Sequence, residues 1–213
     1  MTRIKICGVT LPDDAAAVAS AGVDFIGLNF WPESKRYLNP ERAPLLAGVV
    51  RAMGHAKLVG VFVDPDPDEV LAVAALVELD IIQLHGDEDP DAVKRIVDAV
   101  ARPVWKAITV RSACDLEHLD VWQVDALLLD APTPDRGGAG ASFDHALARD
   151  ARARFPHLKI MLAGGLAADN VGVAITQVQP WAVDVASGVE AAPGVKDRSK
   201  LAAFVAAVRG VAP

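Results

Sequence analysis

Cysteine is scarce in this 213-residue sequence: Cys7 and Cys114 are the only two, with no Cys-x-x-Cys spacing. That excludes a disulfide-built scaffold and fits a reducing compartment. No signal-like pattern occupies Met1-Thr2-Arg3-Ile4-Lys5, so a cytoplasmic location is expected. Long apolar runs are missing too. The longest, residues 70–77, falls well short of the roughly 18 residues a membrane span requires, so no membrane partner is expected. Basic runs are absent, and 21 Lys plus Arg against 28 Asp plus Glu leave a formal charge of −7. An electrostatic footprint for nucleic acid is thereby disfavoured, and any anionic ligand must be held by local groups. The histidines, His55, His85, His118, His145 and His157, show no ligand spacing, so no metal is expected. Ser-His-Asp, P-loop and nicotinamide fingerprints do not occur either.

What the sequence does have is 52% apolar residues, enough for a sizeable core, arranged in a regular alternation. Short apolar segments bounded by Gly, Asp or Pro alternate with longer Ala-rich segments of helical period, the pattern of repeated β-α units. Strands are expected at residues 3–7, 24–29, 57–63, 80–85, 104–109, 125–130, 159–162 and 182–185. Helical stretches begin near Pro12, Pro40, Pro67, Pro90, Ser112, Ser142, Ala168 and Asp197. Several starts set Pro beside an acidic residue, where a missing N–H does no harm and a carboxylate meets the helix dipole. At roughly 27 residues per unit, nothing is left for a second domain, so one domain over residues 1–213 is expected. Eight such units form either a (β/α)8 TIM barrel or a doubly wound sheet. The open sheet normally has a Gly-rich turn after its first strand, where this chain has only Cys7-Gly8. Its glycine pairs instead follow the seventh and eighth strands, at Gly164-Gly165 and Ser187-Gly188, where barrels build phosphate sites from backbone N–H groups. The α/β class with a barrel is the better reading.

In a barrel the ligand site lies at the C-terminal ends of the strands, so polar residues ending apolar strands are the candidates. Cys7, Asn29, His85, Asp130 and Ser187 qualify, with Arg36 in the loop beyond the second strand. Period two puts Lys5 and Cys7 on the inner face of the first strand, and Asp184 inward on the last, its neighbour once the barrel closes. A Lys5/Asp184 pair beneath the site is expected. Cys7 is either a small buried hydrophobe or a reactive thiol. Asp130 either begins a turn or, partly desolvated at a strand's mouth, serves as an acid. His85 is an ordinary satisfied histidine or lines the ligand rather than moving a proton. Cys114 is expected to pack in the fifth helix.

Several segments, taken in order along the chain, carry a more specific signal. They are Lys5-Ile6-Cys7-Gly8-Val9-Thr10, Gly27-Leu28-Asn29-Phe30 through Ser34-Lys35-Arg36-Tyr37, Val59-Gly60-Val61-Phe62 and Gln83-Leu84-His85-Gly86. Leu128-Leu129-Asp130, Gly137-Gly138-Ala139-Gly140, Leu162-Ala163-Gly164-Gly165-Leu166, Asp184 to Glu190 and Pro193-Gly194-Val195-Lys196-Asp197 continue the series. Together they resemble the phosphoribosylanthranilate isomerase family over nearly the whole chain. The resemblance implies a barrel, monomeric or homodimeric, that uses no cofactor and converts N-(5-phosphoribosyl)anthranilate to 1-(2-carboxyphenylamino)-1-deoxyribulose 5-phosphate in tryptophan biosynthesis. It implies that Cys7 and Asp130 are catalytic and that Arg36 takes the substrate carboxylate. The reaction opens a ribose ring and moves a proton from C2′, so it needs an acid and a base. Asp130 would enter protonated as the acid, and Cys7 as a thiolate, its pKa brought down from about 8.5 with help from Lys5. Phosphate would sit on backbone N–H groups of Gly164, Gly165, Ser187 and Gly188, with the Gly138 loop.

The sequence departs from the family at Lys35, usually proline, at Ala139, usually Ser or Thr, and at Ala186, usually Ser. Lys35 is expected to leave residues 31–37 unordered until the carboxylate arrives. Rival readings keep the barrel but change the reaction, to another sugar-phosphate isomerase or an indole-forming synthase, or remove it, leaving a silent sugar-phosphate binder. Intact Cys7 and Asp130 count against the binder.

Overall fold

Short apolar runs become parallel strands that close into an eight-stranded barrel in the computed structural model, which describes residues 1–132 and 144–211. In chain order the strands are β1 (Arg3–Cys7), β2 (Phe25–Asn29), β3 (Lys57–Phe62) and β4 (Ile81–Leu84), then β5 (Val104–Thr109), β6 (Ala126–Asp130), β7 (Ile160–Leu162) and β8 (Ala182–Val185). Each pairs with its sequence neighbour, and β1 closes the ring against β8 with Lys5 opposite Asp184. The expected barrel is therefore the observed one.

The helices among the described residues are α1 (Pro12–Ser20), α2 (Ala43–Met53), α3 (Pro67–Val77), α4 (Pro90–Ala99), α5 (His145–Arg154), α6 (Val171–Val178) and α7 (Arg198–Arg209). Their starts are built as the sequence suggests. Asp66 and Asp89 accept from amides in the first turns of α3 and α4, and Pro67 and Pro90 supply the preset φ behind them. A short 3₁₀ turn, Pro40–Arg42, leads into α2. The Gly138 loop and the Ser142 helix start lie outside the described residues.

Period two sorts the strand side chains into two layers. Ile4, Ile6, Ile26 and Leu28 point outward into a continuous layer under the helices, whereas Phe25, Val59, Ile81, Trp105, Leu128 and Met161 fill the barrel interior. Four strands, β2, β4, β6 and β7, begin one residue later than expected, and one cause serves the first three. Asp24, Asp80 and Asp125, immediately before β2, β4 and β6, turn their carboxylates onto the amides of Ile4, Leu58 and Val104 at 2.8, 2.8 and 2.9 Å. Each aspartate's own amide donates back to the carbonyl of the same residue, closing a small ring at the bottom of the barrel.

The fifth connection is not an α-helix. Two 3₁₀ turns, Ala113–Leu116 and Leu119–Trp122, replace it. Leu116, Leu119 and Trp122 turn toward the core at a spacing of three, which suits three residues per turn better than 3.6. Gln123, at φ 45°, ends the run. Cys114, on the outer side, is exposed rather than packed. A feature not expected follows β8: after a 3₁₀ turn at Ser187–Val189, strands β9 (Glu190–Ala192) and β10 (Val195–Lys196) form an antiparallel hairpin. No helix among the described residues is long and apolar enough to cross a membrane.

Candidate active site

A cavity of about 800 Å³ opens at the C-terminal ends of the strands, with Cys7, Arg36, His85, Asp130, Gly165 and Ser187 in its wall. Lys5 lies beneath it, completely buried, with Nζ 3.0 Å from each Asp184 carboxylate oxygen. This is the pair that barrel closure implies. Burial works against the Lys5 charge, but Asp184 and Cys7 outweigh it, and the ammonium is held above its ordinary pKa.

Cys7 ends β1, half-buried, above this pair. Room for it comes from Gly27, where a Cβ would stand 2.8 Å from the thiol sulfur and 3.2 Å from Lys5 Nζ. A glycine inside the apolar run Phe25–Asn29 is the available sequence signal for this close approach. Burial pushes the Cys7 thiol up, and Lys5 opposes that without overcoming it. The expected fall in its pKa is therefore corrected: burial holds the thiol above its ordinary value. Neighbouring charge is legible in sequence, whereas the desolvation that exceeds it is not.

Asp130 ends β6 and is buried, with Oδ2 3.3 Å from His85 Nε2. His85 in turn has Nδ1 3.1 Å from the amide nitrogen of Gln83. Gly164, at φ +86°, lets the chain after β7 press against this corner, since a Cβ there would stand 2.6 Å from that of Ala131 and 3.1 Å from Asp130 Oδ1. The amides of Gly164 and Gly165 have no acceptor among the described residues. Gly188 packs on the carbonyl of Leu166, so the turns after β7 and β8 meet, with Ser187 reaching the cavity and Gly188 behind it.

Arg36 is not a solvated loop charge. Its Nε and Nη2 make a two-pronged pair with Glu190 at 2.8 and 2.6 Å. Glu190 also accepts from Lys196 Nζ at 2.8 Å, and the same ammonium donates to the Cys7 carbonyl at 2.6 Å. Burial opposes the Glu190 charge, but Arg36 and Lys196 hold its carboxyl below the usual range, while burial pulls the Lys196 ammonium down despite Glu190. The expectation of an unordered loop at residues 31–37 is not met. Trp31 donates to Asn29, Arg36 to the Ser34 hydroxyl and Tyr37 to the Ser34 carbonyl. Glu190 and Lys196, both on the β9–β10 hairpin, and Gln83 on β4 were not singled out by sequence. Among the described residues no cluster of three or more His, Cys, Asp or Glu is placed to hold a metal ion.

With this geometry in view, comparison with known proteins gives a consistent answer. Residues 4–207 match the family described as "PRAI: N-(5'phosphoribosyl)anthranilate (PRA) isomerase". The N-(5'-phosphoribosyl)anthranilate isomerase of Thermotoga petrophila is 40% identical over 211 residues, covering 99% of this chain and 100% of that one. The crystal structure of phosphoribosyl anthranilate isomerase from Thermotoga maritima is similar with a TM-score of 0.90 at 40% identity, covering 99% and 100% of the two chains. Another, of the isomerase in complex with reduced 1-(o-carboxyphenylamino)-1-deoxyribulose 5-phosphate, gives a TM-score of 0.86 at 37% identity with the same coverage.

Proposed function

This chain belongs to the N-(5'-phosphoribosyl)anthranilate isomerase family of tryptophan biosynthesis, and from that premise we propose how its barrel mouth divides the work. The chain is an isomerase, and the complex of its relative with a reduced form of the reaction's product supports a small-molecule phosphate ester as its ligand. Asp130 is the general acid. It protonates the ribose ring oxygen, the C1′–O bond breaks, and the anthranilate nitrogen becomes a cationic Schiff base. Cys7 is the general base. It takes the C2′ proton, the electron pair of that C–H bond forms the C1′–C2′ double bond of an enolamine, and tautomerisation gives the ketone.

The observation that carries this reading is the sharing of one cavity wall by a thiol, a buried carboxylate, an arginine and two glycine turns. The substrate bears an anion at each end, so Arg36 at one side and the amides of Gly164 and Gly165, with the turn at Ser187 and Gly188, at the other orient it without further charge. Glu190 occupies the Nε/Nη2 edge of Arg36. The substrate carboxylate therefore takes the edge that includes Nη1.

The raised Cys7 pKa gives this reading a particular test. A base that rests protonated gains thiolate as pH rises, so kcat/KM should still be climbing through about pH 8.5, the ordinary thiol value. Turnover of freshly made phosphoribosylanthranilate, followed by fluorescence across pH, measures it. A profile already flat between about pH 6 and 8, below that value, argues that another group removes the C2′ proton.

A further inference from the structure

His85 has two ring nitrogens, and the structure gives each a different partner. Nε2 faces Asp130 Oδ2 at 3.3 Å, and Nδ1 faces Gln83 Nε2 at 3.1 Å. Gln83 precedes His85 by two residues along β4, so both point into the barrel, and Gln83 is completely buried. Its Oε1 has no hydrogen-bond partner among the described residues. A buried acceptor left unpaired is unfavourable and asks for an explanation. The bond this amide does make is to His85.

An amide nitrogen only donates, so the ring nitrogen it meets must accept. The proton of a neutral His85 then lies on Nε2, pointing at Asp130. Protonating Nδ1 as well would set two donors head-on against the fully buried Gln83. We propose that Gln83 is a positioning residue that keeps His85 neutral and thereby leaves the proton of the His85–Asp130 pair on Asp130. The proposal rests on the reading of Asp130 as the acid and supplies what that reading needs. Asp130 Oδ2 accepts from His85, and Oδ1, beside Gly164, is left to present the proton to the ring oxygen.

Several other charges around His85 among the described residues have partners of their own. Lys5 is paired with Asp184 and Arg36 with Glu190. Lys106 and Glu88 pair at 2.8 Å and also grip the carbonyl and amide of Gly86, the residue after His85. Asp64, facing the cavity from the loop after β3, accepts from the amide of Asp87. Cys7 shares the cavity as a thiol. The tautomer is therefore decided at Nδ1, by Gln83.

Histidine ring ¹⁵N NMR on the whole protein reads this without any substrate. At neutral pH His85 should show a bare Nδ1 and a protonated Nε2. In Gln83→Glu the new acceptor should make it doubly protonated, and kcat should fall about tenfold or more with KM little changed, because the proton has left the acid. Gln83→Met, which neither donates nor accepts strongly, should let the tautomers mix and reduce kcat less. A doubly protonated or Nδ1-protonated His85 in the unaltered protein overturns the proposal. An active Asp130→Asn enzyme overturns the acid assignment itself. An inactive Asp130→Asn together with a Gln83→Glu enzyme of normal kcat overturns only the role of Gln83.

Discussion

The two ends of the barrel enclose cavities of nearly equal size, about 700 Å³ at the N-terminal end and about 800 Å³ at the C-terminal end, yet their polar groups are used in opposite ways. At the N-terminal end Asp24, Asp80 and Asp125 are spent on strand amides, and Phe25, Trp105 and Trp181 stack edge to face or tilted over the opening, their ring centroids 4.9 to 5.7 Å apart. At the C-terminal end Cys7 and Asp130 stand at strand ends, and the amides of Gly164 and Gly165 have no acceptor among the described residues. A carboxylate that caps a strand has an oxygen committed to that amide and contributes stability. Asp130, whose side-chain partner among the described residues is His85, faces the cavity instead. Stability and reactivity are thus separated by the length of a strand.

Substitutions at the two ends should separate in the same way. The largest effect belongs to the mouth: Cys7→Ala and Asp130→Asn should each lower kcat by about 10² to 10⁴ while the melting temperature moves little, measured by turnover and calorimetry on the same samples. An active Cys7→Ala enzyme would remove the thiol from the mechanism. At the floor, Trp105→Ala deletes a buried ring packed on two others and should destabilise by about 3–5 kcal/mol in denaturant titration, with kcat/KM per folded molecule unchanged. Glu190→Gln tests a residue that belongs to both worlds. Arg36 loses one prong of its partner, so KM should rise severalfold with kcat nearly constant. The Glu190 carboxyl is held low in the folded chain, so its stabilisation is complete above the unfolded value of about 4.3 and fades as pH falls through the depressed one. Glu190→Gln should accordingly flatten the acid limb of stability below about pH 4.3. The smallest effect is expected from Asp80→Ala, about 1–2 kcal/mol of stability with no change in rate.

How far the sequence carried depends on whether backbone period governs the residue in question. β1, β5 and β8 have the expected bounds because apolar alternation runs to their ends. Lys5 and Asp184, 179 residues apart, were still legible as a pair because closing a barrel makes its first and last strands neighbours. Arg36 and Glu190, 154 apart, were not, because Arg36 lies in a loop and Glu190 opens a hairpin strand too short for period to give it a direction. Gln83 was within reach: a polar residue in the apolar strand Ile81–Leu84, in phase with His85, has to point into the barrel. The fifth connection failed for the opposite reason, since a Ser112–Asp115 capping box announces a helix that the three-residue spacing behind it does not continue.

Lys196 touches the carbonyl of Cys7 with the same ammonium that holds Glu190, and Glu190 holds Arg36. The thiol, seated on β1 of the barrel wall, and the guanidinium, tied back to it through a lysine, a glutamate and a tight hairpin, are therefore jaws of one caliper. A caliper judges length before shape. On the roles proposed for Cys7 and Arg36, a ligand with one methylene more or less between its carboxylate and the reacting carbon should be gripped at one jaw and missed by the other.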